Sequence, residues 1–205
     1  MTFDIDGTLT IGHGWYYIAC ALGRIADYSR ATGLYRAGKS SESEHLRNLL
    51  NLAAGEEVGS IRSIVKQTPK LLNIRQSVRM LRENGIESLL LTHNPQYVCE
   101  WYEENFGFAG HYSAYQAVTD GVIGTAAEMF PDKVSWLNDL CADWNVHRSR
   151  TIHVGDSLSD AAVFLTAGGG IAINSRNRQV TGSATAMLNT TDMKDVAKRI
   201  LRLSD

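Results

Sequence analysis

From about residue 84 to the end of the chain, short β-rich runs take turns with helical stretches. Strand–helix alternation of this kind favours a parallel sheet covered on both faces. "IESLLLT" (86–92) reads as a buried strand by length and composition. Asn94 and Pro95 then cap and open a helix, "PQYVCEWYEENF", that stops at Gly107. Asp120-Gly121 marks a hairpin between two β-prone runs. Val134, Leu137, Cys141 and Trp144 fall at helical spacing within a helix around 131–144. "RTIHVGD", "GGGIAIN" and "ATAMLNT" are further strands, and "DMKDVAKRILRL" is an amphipathic tail.

Residues 11 to 70 have a different texture, with helix signals and no convincing strand. "GWYYIACALGRIADYSRATG" reads as a helix ending with its glycine, and Ser41…Glu44 forms a capping box for the next. "EEVGSIRSIVKQTP" stops at Pro69. A helix over 71–84, with Leu71, Ile74, Val78 and Leu81 on one face, then returns the chain to the sheet and ends at Gly85. The expected organisation is an α/β core built from 1–10 and 71–205, interrupted just after its first strand by an all-helical insert over 11–70. Only three residues precede Asp4, whereas a strand usually runs about 5–6 residues. Either the first strand is short or a few native residues are missing.

Bulk properties narrow the partners. The 205 residues suit one or two domains, at roughly 100–200 residues each. A net charge of −2, from 20 basic and 22 acidic residues, gives no footprint of a nucleic-acid binder. Cys20, Cys99 and Cys141 are scattered and form no CxxC pair, which reads as free thiols in a reducing compartment. The longest apolar run, "WYYIACAL", is far short of the ~20 residues that span a bilayer. A cytoplasmic protein without nucleic-acid or membrane partners is expected, and the sequence sets no oligomeric state.

Ligands of open α/β sheets bind beyond the carboxyl ends of the strands. Asp4, Asp6 and Thr8 stand there after the first strand, and Thr92, His93 and Asn94 after the second. Gly155, Asp156 and Asp160 follow a later strand, with Lys133 opening the preceding helix. Each has a bland reading. Paired aspartates occur in solvated turns, Lys133 could be a surface residue, Asp156 and Asp160 could cap a helix, and Thr92 could be an ordinary strand-end hydroxyl. Their conjunction points to chemistry. Hard carboxylate oxygens suit Mg²⁺ together with a substrate phosphate, and a cation would offset the repulsion between Asp4 and Asp6. One aspartate could then attack phosphorus while the other moves a proton. Thr92, nearby backbone amides and Lys133 could hold the phosphoryl oxygens.

These residues resemble the motifs of the haloacid dehalogenase superfamily of phosphotransferases. "DIDGTLT" is similar to its first motif, "LLLTHN" to its second, Lys133 to its third and "HVGDSLSD" to its fourth. The resemblance implies a Rossmann-like core, a helical cap and a Mg²⁺-dependent reaction through an aspartyl-phosphate. It implies Asp4 as nucleophile and Asp6 as general acid and base, with the Asp6 backbone carbonyl on the metal. Thr92 and Lys133 would bind the phosphoryl group, and Thr8, His93 and Asn94 would lie on the substrate side. Asp156 would ligate the metal, and Asp160 would complete the ligand shell or support the lysine.

Cap position and the stretch from Phe130 to Asn174 look most like the phosphoserine phosphatase branch. Three departures from it stand out: His13 replaces a glutamate suited to an ammonium, His93 and Asn94 replace small glycines, and Ser159 replaces an asparagine. His13 is a substrate contact or polar packing at the hinge. Arg47 is a clamp for a substrate carboxylate or a solvated helix-face residue. The expected activity is hydrolysis of a small phosphorylated metabolite, phosphoserine or similar. Phosphotransfer to an acceptor hydroxyl and a non-catalytic phosphometabolite-binding module are the alternatives.

Overall fold

A computed structural model describes residues 1–127 and 129–204. The chain begins with β1 (Thr2–Phe3) and then runs through four helices: α1 (Gly14–Ala21), α2 (Ile25–Arg36), α3 (Glu42–Leu50) and α4 (Val58–Gln67). The helix α5 (Ile74–Glu83) leads into β2 (Leu89–Pro95), α6 (Gln96–Phe106) and β3 (His111–Ala114). A hairpin of β4 (Gln116–Thr119) and β5 (Val122–Ala126) precedes α7 (Lys133–Asp143). The rest is β6 (Ile152–Gly155), α8 (Leu158–Thr166), β7 (Gly169–Ile173), α9 (Arg178–Ser183), β8 (Ala186–Leu188) and α10 (Met193–Ser204).

The described residues form a six-stranded sheet in the order β3-β2-β1-β6-β7-β8, with every pairing parallel. Helices α5, α6 and α10 pack together on it, and α7, α8 and α9 form a second group. This is an α/β fold with a Rossmann-like parallel sheet flanked by helices. Its core is continuous and apolar: Phe3, Leu90, Leu91, Val154 and Ile171 are fully buried in the central strands. Because β1 is central and the chain leaves it in both directions, its carboxyl end is the switch point where such sheets open a crevice. Among the described residues no helix is long and apolar enough to cross a membrane.

Several boundaries differ from the sequence reading. The run 14–33 is two helices, because Gly23 takes a left-handed φ of 68° and turns the chain after α1. The second helix passes through Gly33 and ends at Arg36. The helix expected from 71 begins at Ile74, since Lys70 bridges Thr10 and the Leu71 amide donates to the Leu9 carbonyl at 2.9 Å. Asn94 does not cap α6: the strand runs on to Pro95, and the Asn94 side chain turns back to Thr92 Oγ1 at 3.3 Å. The Ser41–Glu44 capping box and the Asp120-Gly121 hairpin turn both form, the latter with φ of 51° and 81°. That hairpin rests on the helical segment, with the Gly55 amide donating to the Ile123 carbonyl at 2.8 Å.

Candidate active site

After Phe3 the chain leaves the sheet in a tight loop. The amides of Thr8, Leu9 and Thr10 all donate to the Ile5 carbonyl, while Ile5 and Leu9 are buried beneath. Asp4 continues the ladder, its amide donating to the Val154 carbonyl at 2.9 Å, and the residue is only 6% exposed. Asp6 projects from the loop to the start of α1, where Oδ1 accepts the Gly14 amide at 2.8 Å. A Cβ at Gly14 would lie 2.4 Å from that oxygen, so the approach depends on glycine. The other oxygen of Asp6 lies 3.9 Å from His13 Nδ1.

Lys133, the first residue of α7, is 3% exposed and reaches two carboxylates: Asp4 Oδ1 at 3.0 Å and Asp160 Oδ1 at 2.6 Å. The surface reading of this lysine is therefore ruled out. Burial alone would lower its pKa, but Asp160 and Asp4 together hold it above the ordinary lysine value. Burial also pushes the Asp4 carboxyl up, opposed by Lys133 and by the Thr92 hydroxyl.

Asp160 closes the capping box of α8. Its Oδ2 accepts from Ser157 Oγ at 2.6 Å, the Ser157 amide at 2.9 Å and the Asp156 amide at 3.1 Å. Its Oδ1 takes Lys133 and, at 2.9 Å, His153 Nε2. The burial penalty is outweighed, first by Lys133 and then by His153, so Asp160 titrates well below the usual carboxylate range. Five donors saturate a group with about four lone-pair sites. Oxygens of Asp4, Asp156 and Asp160 lie within 4.8 Å of one another, yet Asp160 has none to spare for a cation. Within the described residues it supports Lys133 and the turn at Asp156.

Asp156 contrasts with it. Its Oδ1 is buried with no hydrogen-bond partner among the described residues. Burial, then the like charges of Asp160 and Asp4, raise its pKa to about 8. Gly7, at φ 75°, makes room for it, since a Cβ there would stand 2.3 Å from Asp156 Oδ2. An unpartnered buried oxygen beside a second carboxylate is a donor set that fits a hard divalent cation.

These groups floor a cavity of about 440 Å³. Asp4, Asp6, Thr92, His93, Asn94, Lys133 and Asp156 line the sheet side, and His13, Trp15, Tyr35, Arg36, Glu42 and His45 line the helical side. His93 packs on Trp136 at 5.2 Å, and burial followed by Lys133 lowers its pKa to about 4. A larger cavity of about 800 Å³ at the other end of the strands contains none of the expected site residues.

Two expected residues stand elsewhere. Thr8 is buried within the loop, outside the cavity lining, and Arg47 on α3 lies away from it beside Glu44. The guanidinium that lines the cavity belongs to Arg36, which the sequence reading had placed beyond a helix end at Gly33. Tyr35 stacks flat on His45 at 4.5 Å next to it. Neither Glu42, His45 nor His153 was picked out from sequence; a histidine inside the apolar strand run "TIHVG" was the available signal for the last.

A model of the family described as haloacid dehalogenase-like hydrolase matches residues 1–164. The phosphoserine phosphatase SerB2 of Mycobacterium tuberculosis is 24% identical over 181 residues, or 86% of this chain, and the chain spans 44% of that relative's length. Among solved structures, a hydrolase of the same family from Salmonella enterica serovar Typhi is similar with a TM-score of 0.84 and 17% identity, over 95% of this chain and 68% of that one. A phospho-aspartyl intermediate analogue of a phosphoserine phosphatase gives 0.81 and 19%, over 97% and 96%. At these identities the structural likenesses bear on the fold.

Proposed function

The chain belongs to the haloacid dehalogenase-like hydrolase family, and on that premise we propose that it is a Mg²⁺-dependent phosphomonoesterase that phosphorylates itself on Asp4. The observation that carries this reading is the sealed pair of Asp4 and Lys133, with the unpartnered oxygen of Asp156 beside them. Asp4 and Asp156 would hold the cation, which when bound neutralises the carboxylates and phosphoryl oxygens crowded at the strand ends.

In this reading Asp4 attacks phosphorus, forming a bond to one carboxylate oxygen as the ester P–O bond breaks. Lys133 Nζ and the Thr92 hydroxyl face the phosphoryl oxygens. Asp6, anchored by the Gly14 amide through one oxygen, delivers a proton from the other to the departing alkoxide. Water then attacks phosphorus, passes its proton to Asp6 and releases phosphate from Asp4. The helical segment 11–70 serves as a cap whose wall excludes bulk water and presents Arg36, Glu42 and His45 to the organic part of the substrate. Those groups suit a small, polar metabolite such as a phosphorylated amino or hydroxy acid.

Assays of phosphate release from a panel of such compounds and from p-nitrophenyl phosphate, with Mg²⁺ and with EDTA, test the reading. Mg²⁺-dependent release, strongest for a small polar ester, is expected. Absence of release across the panel, or release indifferent to EDTA, contradicts it.

A further inference from the structure

Below the carboxylates sits an imidazole with no exposure at all. His153 lies on β6 directly opposite Thr2 of β1 in the parallel ladder. Its Nε2 is 2.9 Å from Asp160 Oδ1, and its Nδ1 is 2.8 Å from Thr2 Oγ1. The ring of Phe164 packs against it at 5.7 Å. An ionised carboxylate only accepts, so Nε2 carries the hydrogen toward Asp160. The other ring nitrogen, Nδ1, pairs with the Thr2 hydroxyl.

A closed circuit results: Asp4 to Lys133, Lys133 to Asp160, Asp160 to His153, His153 to Thr2, and Thr2 back along the chain to Asp4, just past the end of β1. Lys133 stands closer to Asp160 than to Asp4, 2.6 Å against 3.0 Å, so the way Asp160 distributes its charge decides how much of the ammonium is left for Asp4. We infer that His153 is a positioning residue: its Nε2–H shares Asp160 Oδ1 with Lys133 and thereby keeps the ammonium directed at Asp4. Without that N–H, the charge on Oδ1 falls to Lys133 alone, which is drawn toward Asp160 and away from the reacting oxygen. The consequence for turnover rests on the role proposed for Asp4; the consequence for the position of Lys133 does not.

Three variants test this. His153→Leu fills the volume but has no N–H, His153→Gln restores a donor toward Asp160, and Thr2→Val removes the hydroxyl that fixes the ring. With p-nitrophenyl phosphate and Mg²⁺, His153→Leu is expected to lose about 10- to 100-fold in kcat, as groups that orient site ligands do, with a much smaller change in KM. His153→Gln should recover most of that loss, and Thr2→Val should lower kcat less than His153→Leu. If His153→Leu does not fold, the Thr2→Val loss and near-native turnover of His153→Gln carry the test. Crystal structures of the folded variants give a readout independent of activity, in which Lys133 Nζ should sit farther from Asp4 in His153→Leu than in the native protein. A folded His153→Leu that turns over normally, a His153→Gln as slow as His153→Leu, or an unmoved Lys133 would overturn the inference. A native protein without phosphatase activity in which Lys133 moves as described would instead contradict only the proposed function.

Discussion

Lys133 Nζ lies 3.0 Å from Asp4 Oδ1, with both side chains almost sealed from solvent. Asp156 and Asp160 stand close by, so three carboxylates face one ammonium. In a medium of low dielectric this is a strong demand for additional positive charge.

Mg²⁺ should therefore raise the thermal stability of the native protein, because a ligand that binds only the folded state stabilises it by about 2.7 kcal/mol at 100 times its Kd. In Asp156→Asn the unpartnered carboxylate is gone. That variant should respond to Mg²⁺ only at much higher concentrations, and without metal it should be at least as stable as the native protein. Thermal denaturation across a Mg²⁺ titration checks both outcomes.

Gly7→Ala should disturb the same place from the loop that follows β1. The new Cβ meets Asp156 Oδ2 at 2.3 Å, and alanine is strained at a φ of 75°. A loss of about 1–3 kcal/mol in stability is expected from the backbone conformation alone. Calorimetric Mg²⁺ binding should weaken as well, which urea denaturation by itself would not reveal.

Asp6→Asn separates the two carboxylates of the first loop. The amide can still accept the Gly14 N–H, so the loop and substrate binding should survive. It cannot deliver or receive the proton, and a loss of about 10²–10⁴-fold in kcat is expected. Rapid-quench kinetics should place the loss in formation or breakdown of the phospho-enzyme. Unchanged turnover at saturating Mg²⁺ would remove Asp6 from its role.

The architecture was legible because period and composition report burial directly. Strands such as β2 and β7 carry continuous apolar runs, and the capping box at Ser41 and the turn at Asp120-Gly121 are local chemistry that tertiary contacts leave intact. What failed depended on backbone conformations that composition does not encode. Gly33 was read as a helix end, but the left-handed residue was Gly23, and this error hid Arg36 at the end of α2. An arginine at position 47 is visible in the sequence, but which face of α3 meets the sheet is set by packing against α2. For Asp160 the family resemblance implies either a place in the ligand shell or support of the lysine, and its five donors, which sequence does not display, favour the supporting role.

His93 gives a pH signature. Its folded-state pKa of about 4 lies below the ordinary value of 6.5, through burial first and Lys133 second. The stabilisation from a neutral ring is therefore complete above 6.5 and drains away as the pH falls toward 4. His93→Gln should lose less stability than the native protein over that interval, as measured by thermal midpoints in neutral and mildly acidic buffer. Parallel losses in the two proteins would show that His93 does not titrate in this way.

The central claim is that Asp4 receives the phosphoryl group. Acid quenching of the Asp6→Asn variant during turnover of p-nitrophenyl phosphate with Mg²⁺, followed by peptide mapping by mass spectrometry, tests it most directly. A phosphoryl mass on the amino-terminal peptide, located at Asp4 and absent when Asp4 is also changed to Asn, is the predicted result. Continued phosphate release with no modified peptide, or the label on any other residue, would contradict it.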